Sequence, residues 1–335
     1  MPPLRASRLA LTLGILLVVL ILAAAVCASL GSSGYTLLDL GRPPGDAAAM
    51  ILHVRLPRIL LAAIAGAALG AAGAAFQAVL RNPLADPYIL GISGGAALAA
   101  FVATAAGLPA LLPLLPVREA AAFLGAAATV ALLFVLSSVR GRLASYPMLL
   151  IGVVTNTIYL SLILLIQTVV DFTRLHGVRL WMVGNVPLEG YDVVALLAAI
   201  LVVGVAGLCV LGRDLNVLSA GEDTARSLGL RVERTRVVAV LLASLITAAV
   251  VSVTGPIGFV GLIVPHAARL LLGPDHRLLL PASALLGALF LMVADTAART
   301  LLAPTELPVG VITALCGGPI FLWLYRLQRG ATYFD

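Results

Sequence analysis

The side chains able to do chemistry gather in two places in this chain. The larger is 216-NVLSAGEDTARSLGLRVERTR-236, where Glu222, Asp223 and Glu233 stand among Arg226, Arg231, Arg234 and Arg236. It is the longest polar run, set between the apolar stretches 191–211 and 237–254. Mixed charges on a helix-forming segment make ion pairs and offer themselves to water, so the chemistry here is recognition by a soluble partner. The smaller gathering is 55-RLPR-58. Proline suits a helix start, and a spacing of three puts Arg55 and Arg58 on one face, fit for an acidic soluble partner. The groupings an enzyme needs are missing. His53, His176, His266 and His276 are scattered, with no H-E-x-x-H and no Ser/His/Asp set, and no GxxxxGK[ST] phosphate loop occurs. Cys27, Cys209 and Cys316 lie in apolar segments without metal spacing and read as inert buried thiols. No catalytic residue and no metal ligand is expected.

The elements that must position these residues are membrane helices. Of 335 residues 61% are hydrophobic and 11% charged, with a mean hydropathy of +1.13. A soluble domain carries about a quarter charged residues. The apolar runs are continuous rather than alternating, which predicts helices and excludes an open β-barrel. The net charge of +6 comes from arginine alone, with no lysine. In such a chain arginines report topology, so no nucleic-acid partner is implied. Ten spans are expected, near 9–29, 59–80, 91–107, 117–138, 147–170, 191–211, 237–254, 258–272, 278–299 and 308–325. Arg5 and Arg8 precede the first, which reads as a span rather than a cleaved leader. Two spans, 91–107 and 258–272, are short, and short helices must be buried in protein or line a cavity. With both termini cytoplasmic, fourteen arginines fall inside and seven outside. That bias supports the orientation and places 216–236 in the cytoplasm.

Within the second span, Gly66, Gly70 and Ala74 recur every four residues, the pattern of close helix packing in lipid. The segment 81-RNPLADPYILGISGGA-96 reads as a cytoplasmic turn, either a connection or a narrowing of a central pathway. Asn156 in the fifth span either lines a pathway or bonds between helices. Asp171, Asp192 and Asp295 fall near span ends. No carboxylate is therefore expected at mid-membrane, which counts against a self-contained, ion-coupled secondary carrier or a channel.

The run 55-RLPRILLAAIAGAALGAAGAAFQAVLRNPLADPYILGISGGAAL-98 resembles the signature of the FecCD/BtuC-type permeases, membrane subunits of type II ATP-binding-cassette importers. The runs 253-VTGPIGFVGLIVPHAARLLLGPDHRLLLP-281 and 221-GEDTARSLGL-230 resemble that family's second signature and its cytoplasmic coupling segment. The resemblance covers essentially the whole chain. It implies an all-α, BtuC-like permease fold: one transmembrane domain over 1–335 with a coupling segment at 213–236. It implies a homodimer in the bacterial cytoplasmic (inner) membrane, two ATPase subunits that bind ATP and Mg, and a periplasmic or lipid-anchored substrate-binding protein. No cofactor is implied in this chain. The cargo class is a metal chelate: ferric siderophore, haem or cobalamin. Carried over by position, Gly221, Glu222, Asp223, Ala225, Arg226, Leu228 and Gly229 face the ATPases, with Gly229 ending the second short helix. Arg55, Arg58 and Arg299 match arginines that receive acidic residues of the binding protein. Asn82 and Leu84 match one side of a cytoplasmic gate, Ser145 and Tyr146 the other. Tyr146 and Pro147 depart from the small hydroxyl residues usual there. The fifth span lines the family's pathway, which favours Asn156 as a lining residue.

Overall fold

The computed structural model describes residues 6–31, 50–109, 116–139, 142–143 and 145–328. Thirteen α-helices run through the described residues: α1 Ala6–Ser29, α2 Leu56–Leu80, α3 Ile92–Ala105, α4 Val117–Ser137, α5 Ser145–Val169, α6 Phe172–Met182, α7 Tyr191–Val210, α8 Gly212–Ser219, α9 Glu222–Ser227, α10 Val232–Thr254, α11 Val260–Leu272, α12 His276–Thr300 and α13 Val309–Gln328. The strands are one two-residue hairpin, β1 Ser138–Val139 against β2 Arg142–Leu143. Seven helical stretches are long and apolar enough to cross a membrane, and three shorter apolar helices, α3, α11 and α13, complete the ten expected. The segment between the fifth and sixth spans folds as an additional helix, α6, which hydropathy does not reveal. Its Trp181 Nε1 donates to the Val253 carbonyl at 3.1 Å.

At the centre stand α2, α10 and α12, with α11 against them; α1, α5 and α7 lie outside with most of their apolar surface exposed. The most extensive contact is α2 on α12. Small residues account for it. A Cβ added at Gly66 would lie 2.0 Å from the Gly287 carbonyl oxygen, and one at Gly73 would lie 1.9 Å from that of Gly261. No side-chain layer fits between these helices, so they gain dispersion contact along the bare backbone.

Prolines free carbonyls that side chains then take up. A π-helical turn, Ile51–Arg55, runs directly into α2, with Pro57 in the first turn of α2. Pro57 has no N–H to give the Leu52 carbonyl, and the Tyr191 hydroxyl donates to that oxygen instead. Pro265 inside α11 likewise leaves the Gly261 carbonyl unserved, and Gln77 Nε2 donates to it at 3.3 Å. A buried carbonyl left unpaired in lipid costs several kcal/mol, on the order of 2–7. Gln77, buried beside Gly261, is thus the residue that lets α11 keep its proline.

The segment 81–91 departs from a plain cytoplasmic turn. It leaves the C-terminal end of α2 and folds back into the protein, burying Ala85, Asp86 and Leu90. A Cβ on Gly261 would lie 3.0 Å from Asp86 Oδ2 and 3.1 Å from the Leu69 carbonyl. Asp86 therefore sits level with the middle of α2, and a carboxylate does occupy mid-depth, contrary to expectation. The physical reason is local. Oδ1 accepts from the Tyr88 N–H at 2.7 Å, and the carboxylate faces the first turn of α11, whose broken end carries positive partial charge. The two short helices, α3 and α11, both begin in this interior region.

Candidate functional site

The cluster where α2 begins and α12 ends is built on Asp295. Arg58 donates to Asp295 Oδ1 through Nε at 3.2 Å and Nη2 at 3.1 Å, and Arg299 donates to Oδ2 at 3.0 Å. Asp295 is 1% exposed. Arg58 also donates to Glu306 at 2.8 Å, and the Glu306 side chain is 55% exposed. Arg55 Nη1 donates to the Ala28 carbonyl at 2.9 Å, a cation at the C-terminus of α1, where the helix dipole favours it. The three arginines are thus brought together, yet all are buried and engaged within the chain. Sequence reasoning set Asp295 aside as a span-end residue. Its partner Arg58 is 237 positions away, and no local signal joins them.

At the opposite end, where α12 begins, α8 and α9 form the charged hairpin expected around 216–229. Gly229 adopts φ +80, its N–H reaches the Arg226 carbonyl at 3.0 Å, and the Leu230 N–H reaches that of Ala225 at 3.0 Å. This pair of bonds is the left-handed cap that glycine permits without strain. Asp223, Arg226, Leu228 and Gly229 are exposed, whereas Ala225 is buried and Gly221 and Glu222 are half-buried. Leu228, at 69% exposure, is an apolar knob on a charged hairpin. Arg226 pairs with Glu222 at 3.0 Å and with Asp223 at 3.2 Å. Burial pushes the Glu222 carboxyl up, but the guanidiniums of Arg236 and Arg226 outweigh it and hold the group below its ordinary value. A depressed carboxylate contributes its stability above the unfolded pKa and loses it as pH falls through the folded one. The hairpin contacts should therefore persist to below the ordinary glutamate range, as amide exchange across 221–236 would show.

Arg236 was not singled out by sequence. It is 1% exposed, with one nitrogen donating to Glu222 and another to the Leu143 carbonyl. Glu233 closes the other side, accepting from the Leu143 N–H at 3.0 Å. One buried guanidinium thus ties the hairpin to the strand that leads into α5.

Leu84 is 46% and Tyr146 76% exposed, both at the hairpin end of the molecule. The Asn82 side chain accepts from the Leu84 N–H at 2.9 Å and so shapes the 81–91 turn. Ser145 begins α5, and its side chain lies outside the described residues. Asn156 packs against α3: a Cβ at Gly94 would lie 2.1 Å from its Oδ1. That oxygen is buried without a hydrogen-bond partner, so Asn156 stands in the α3–α5 contact.

The sequence profile described as the FecCD transport family matches residues 15–327. The Yersinia pestis hemin transport system permease protein HmuU is 40% identical over 328 residues, 95% of this chain and 96% of that one. The uncharacterized Bacillus subtilis ABC transporter permease protein YvrB is 45% identical over 84% of this chain and 80% of its own length. The Halobacterium salinarum cobalamin import system permease protein BtuC is 42% identical over 84% of this chain and 75% of its own length. A solved structure described as an inward-facing metal-chelate type ABC transporter superposes with a TM-score of 0.82 at 29% identity, over 96% of this chain and 99% of that one. With a matching profile over nearly its full length and relatives at 40% identity or more, this chain belongs to the FecCD transport family.

Proposed function

We propose that the chain is the membrane-spanning permease subunit of an ATP-driven importer, passing a metal chelate (ferric siderophore, haem or cobalamin) received from a substrate-binding protein. It sits in the cytoplasmic membrane with both termini inside, as one of two copies above two ATPase subunits that hold ATP and Mg. The observation that carries this reading is the α8–α9 hairpin with Arg236 behind it. A partner that pushes on Asp223, Arg226 and Leu228 pushes on Glu222, and through Arg236 on Leu143, next to Ser145 and Tyr146. A displacement at the ATPase face thereby reaches the inner end of α5 through one buried side chain. The exposed apolar faces of α5 and α13 suit lipid and a second copy.

On the outer side, a docking acid on the binding protein meets Arg58 already held by Glu306. All three arginines are covered, so the reachable edge of the cluster is Glu306, the partner of Arg58. Glu306→Gln should therefore tighten binding-protein affinity about threefold at low salt, an effect that fades as salt rises. Measured affinity that is unchanged, or weaker, would remove Arg58 from the docking site.

The deciding experiment reconstitutes the chain with its ATPase subunit in lipid and adds binding protein loaded in turn with ferric siderophore, haem or cobalamin. One loaded form should stimulate ATP hydrolysis and so name the cargo. In the same assay Asp223→Ala with Leu228→Ser should lower the stimulated rate by about tenfold while the unfolding temperature stays put, because both side chains are exposed. A self-contained carrier would transport unchanged in that variant.

A further inference from the structure

A second cluster of charge lies beneath the hairpin and plays no part in the mechanism above. Between the inner ends of α2, α8, α11 and α12 is a cavity of about 350 Å³, bordered by Gln77, Arg81, Asn82, Asn216, Arg269 and His276. No carboxylate among the described residues lines it. Arg81 and Arg269 enter no ion pair among the described residues. Among the described residues the Arg269 guanidinium donates only to the neutral Gln77 Oε1, at 3.1 Å.

His276 adds no charge to the cavity. It is 4% exposed, and its Nδ1 lies 2.8 Å from Asn216 Oδ1. That oxygen also accepts the His276 backbone N–H at 2.7 Å, while Asn216 Nδ2 donates to Asp275 at 2.7 Å. The amide orientation is therefore fixed, and Nδ1 must carry the proton. Nε2 is left as a buried lone pair with no partner. The nearest acid, Asp275, is spoken for. Arg277 donates to both of its oxygens and, together with Asn216, holds the carboxyl well below the usual range.

The cavity thus offers two guanidiniums without counter-charge, with amide groups beside them. A carboxylate has only two oxygens for these donors. A tetrahedral oxyanion has more, and takes both guanidiniums and an amide N–H together. The space is far larger than the roughly 10–15 Å³ needed for one water, so such an anion fits with its hydration. We propose that this cavity binds a phosphate-class oxyanion from the cytoplasmic side, either free phosphate or the headgroup of an anionic lipid.

The test uses the purified full chain. Its unfolding temperature is read against inorganic phosphate, with chloride at equal ionic strength as the blank. It is read again in nanodiscs of phosphatidylglycerol and of phosphatidylcholine. Phosphate should raise the temperature saturably, and Arg81→Gln should weaken the apparent affinity about tenfold, as expected for one lost charge-assisted bond. Arg81 is exposed, so this variant should fold; Arg269→Gln should act in the same direction. Stabilisation by phosphatidylglycerol without any response to phosphate assigns the site to lipid, provided Arg81→Gln removes it. No saturable shift from either source, or an equal shift in Arg81→Gln, overturns the proposal. So does a shift that appears only with the ATPase subunit and depends on Arg81, since the cavity then takes a protein side chain.

Discussion

Asp295→Asn should destabilise the protein by about 3–5 kcal/mol, the cost of breaking a buried ion pair from one side. The carboxylate is 1% exposed and holds Arg58 on one oxygen and Arg299 on the other. Asparagine keeps the shape but removes the charge, and its amide nitrogen faces a guanidinium donor with nothing to accept. Two arginines then stay in a dry site with only Glu306, at the rim, to answer them. The measurement is chemical or thermal unfolding in detergent, with Glu306→Gln as the comparison. Because Glu306 is 55% exposed, water replaces it, and its loss should cost under about 1 kcal/mol. Equal losses from the two variants would mean that Asp295 is solvated and that the cluster is not the buried clamp seen here. A double variant, Asp295→Leu with Arg299→Met, should recover part of the loss, since it removes one of the two stranded guanidiniums and leaves Arg58 to Glu306.

Gly73→Ala should be as damaging, although it adds one methyl group. The new carbon would sit 1.9 Å from the Gly261 carbonyl oxygen. Backbone, unlike the far end of a flexible side chain, has no rotamer by which to retreat. The Gly261 carbonyl is moreover the one freed by Pro265 and held by Gln77, so pushing α11 away also loses that bond. We expect a loss of about 3 kcal/mol, at the upper end for overpacked sites, together with failure to stimulate an ATPase. Gly14→Ala is the control. Nothing lies within 4 Å of a Cβ there, on a helix whose membrane-crossing stretch is exposed. It should leave the unfolding temperature unchanged or slightly raised, as alanine favours a helix. If Gly73→Ala unfolds like wild type, α2 and α11 do not approach as closely as described.

Most of the architecture was written in hydropathy. All ten apolar helices stand where continuous runs of Ala, Leu and Val put them, because in lipid each segment must satisfy its own backbone. The small-residue face of α2 was legible for the same reason, as was the hairpin around 216–229, which its polarity and its terminal Gly229 announce. The depth of 81–91 was not. Its prolines and its aspartate read as surface features, and what draws Asp86 inward is the open end of α11, some 175 positions further along. The outer arginines show the opposite failure. Arg55, Arg58 and Arg299 read as a surface patch because single-residue charge says nothing about partners. Their burial follows from Asp295 and from the end of α1. Cys316, read as a buried thiol, is exposed on α13, since an apolar segment has an outer face as well as an inner one. Arg236 could not be told from its neighbours Arg231 and Arg234 until β2 was in place beside it.

The bare contact between α2 and α12 also sets how this molecule can bend. Packed side chains act as a cushion: they can hop between rotamers and absorb a small shift. Between Gly66 and Gly287 there is no cushion, only one main chain resting on another. The outer ends of the same two helices are pinned by Arg58 on Asp295. Together they make a stiff beam across the membrane, which can tilt or translate but has little means to shear. Any change of shape must then be taken up at joints beside the beam, and the breaks at 255–259 and 81–91, where α11 and α3 begin, are where the chain has hinges to spare.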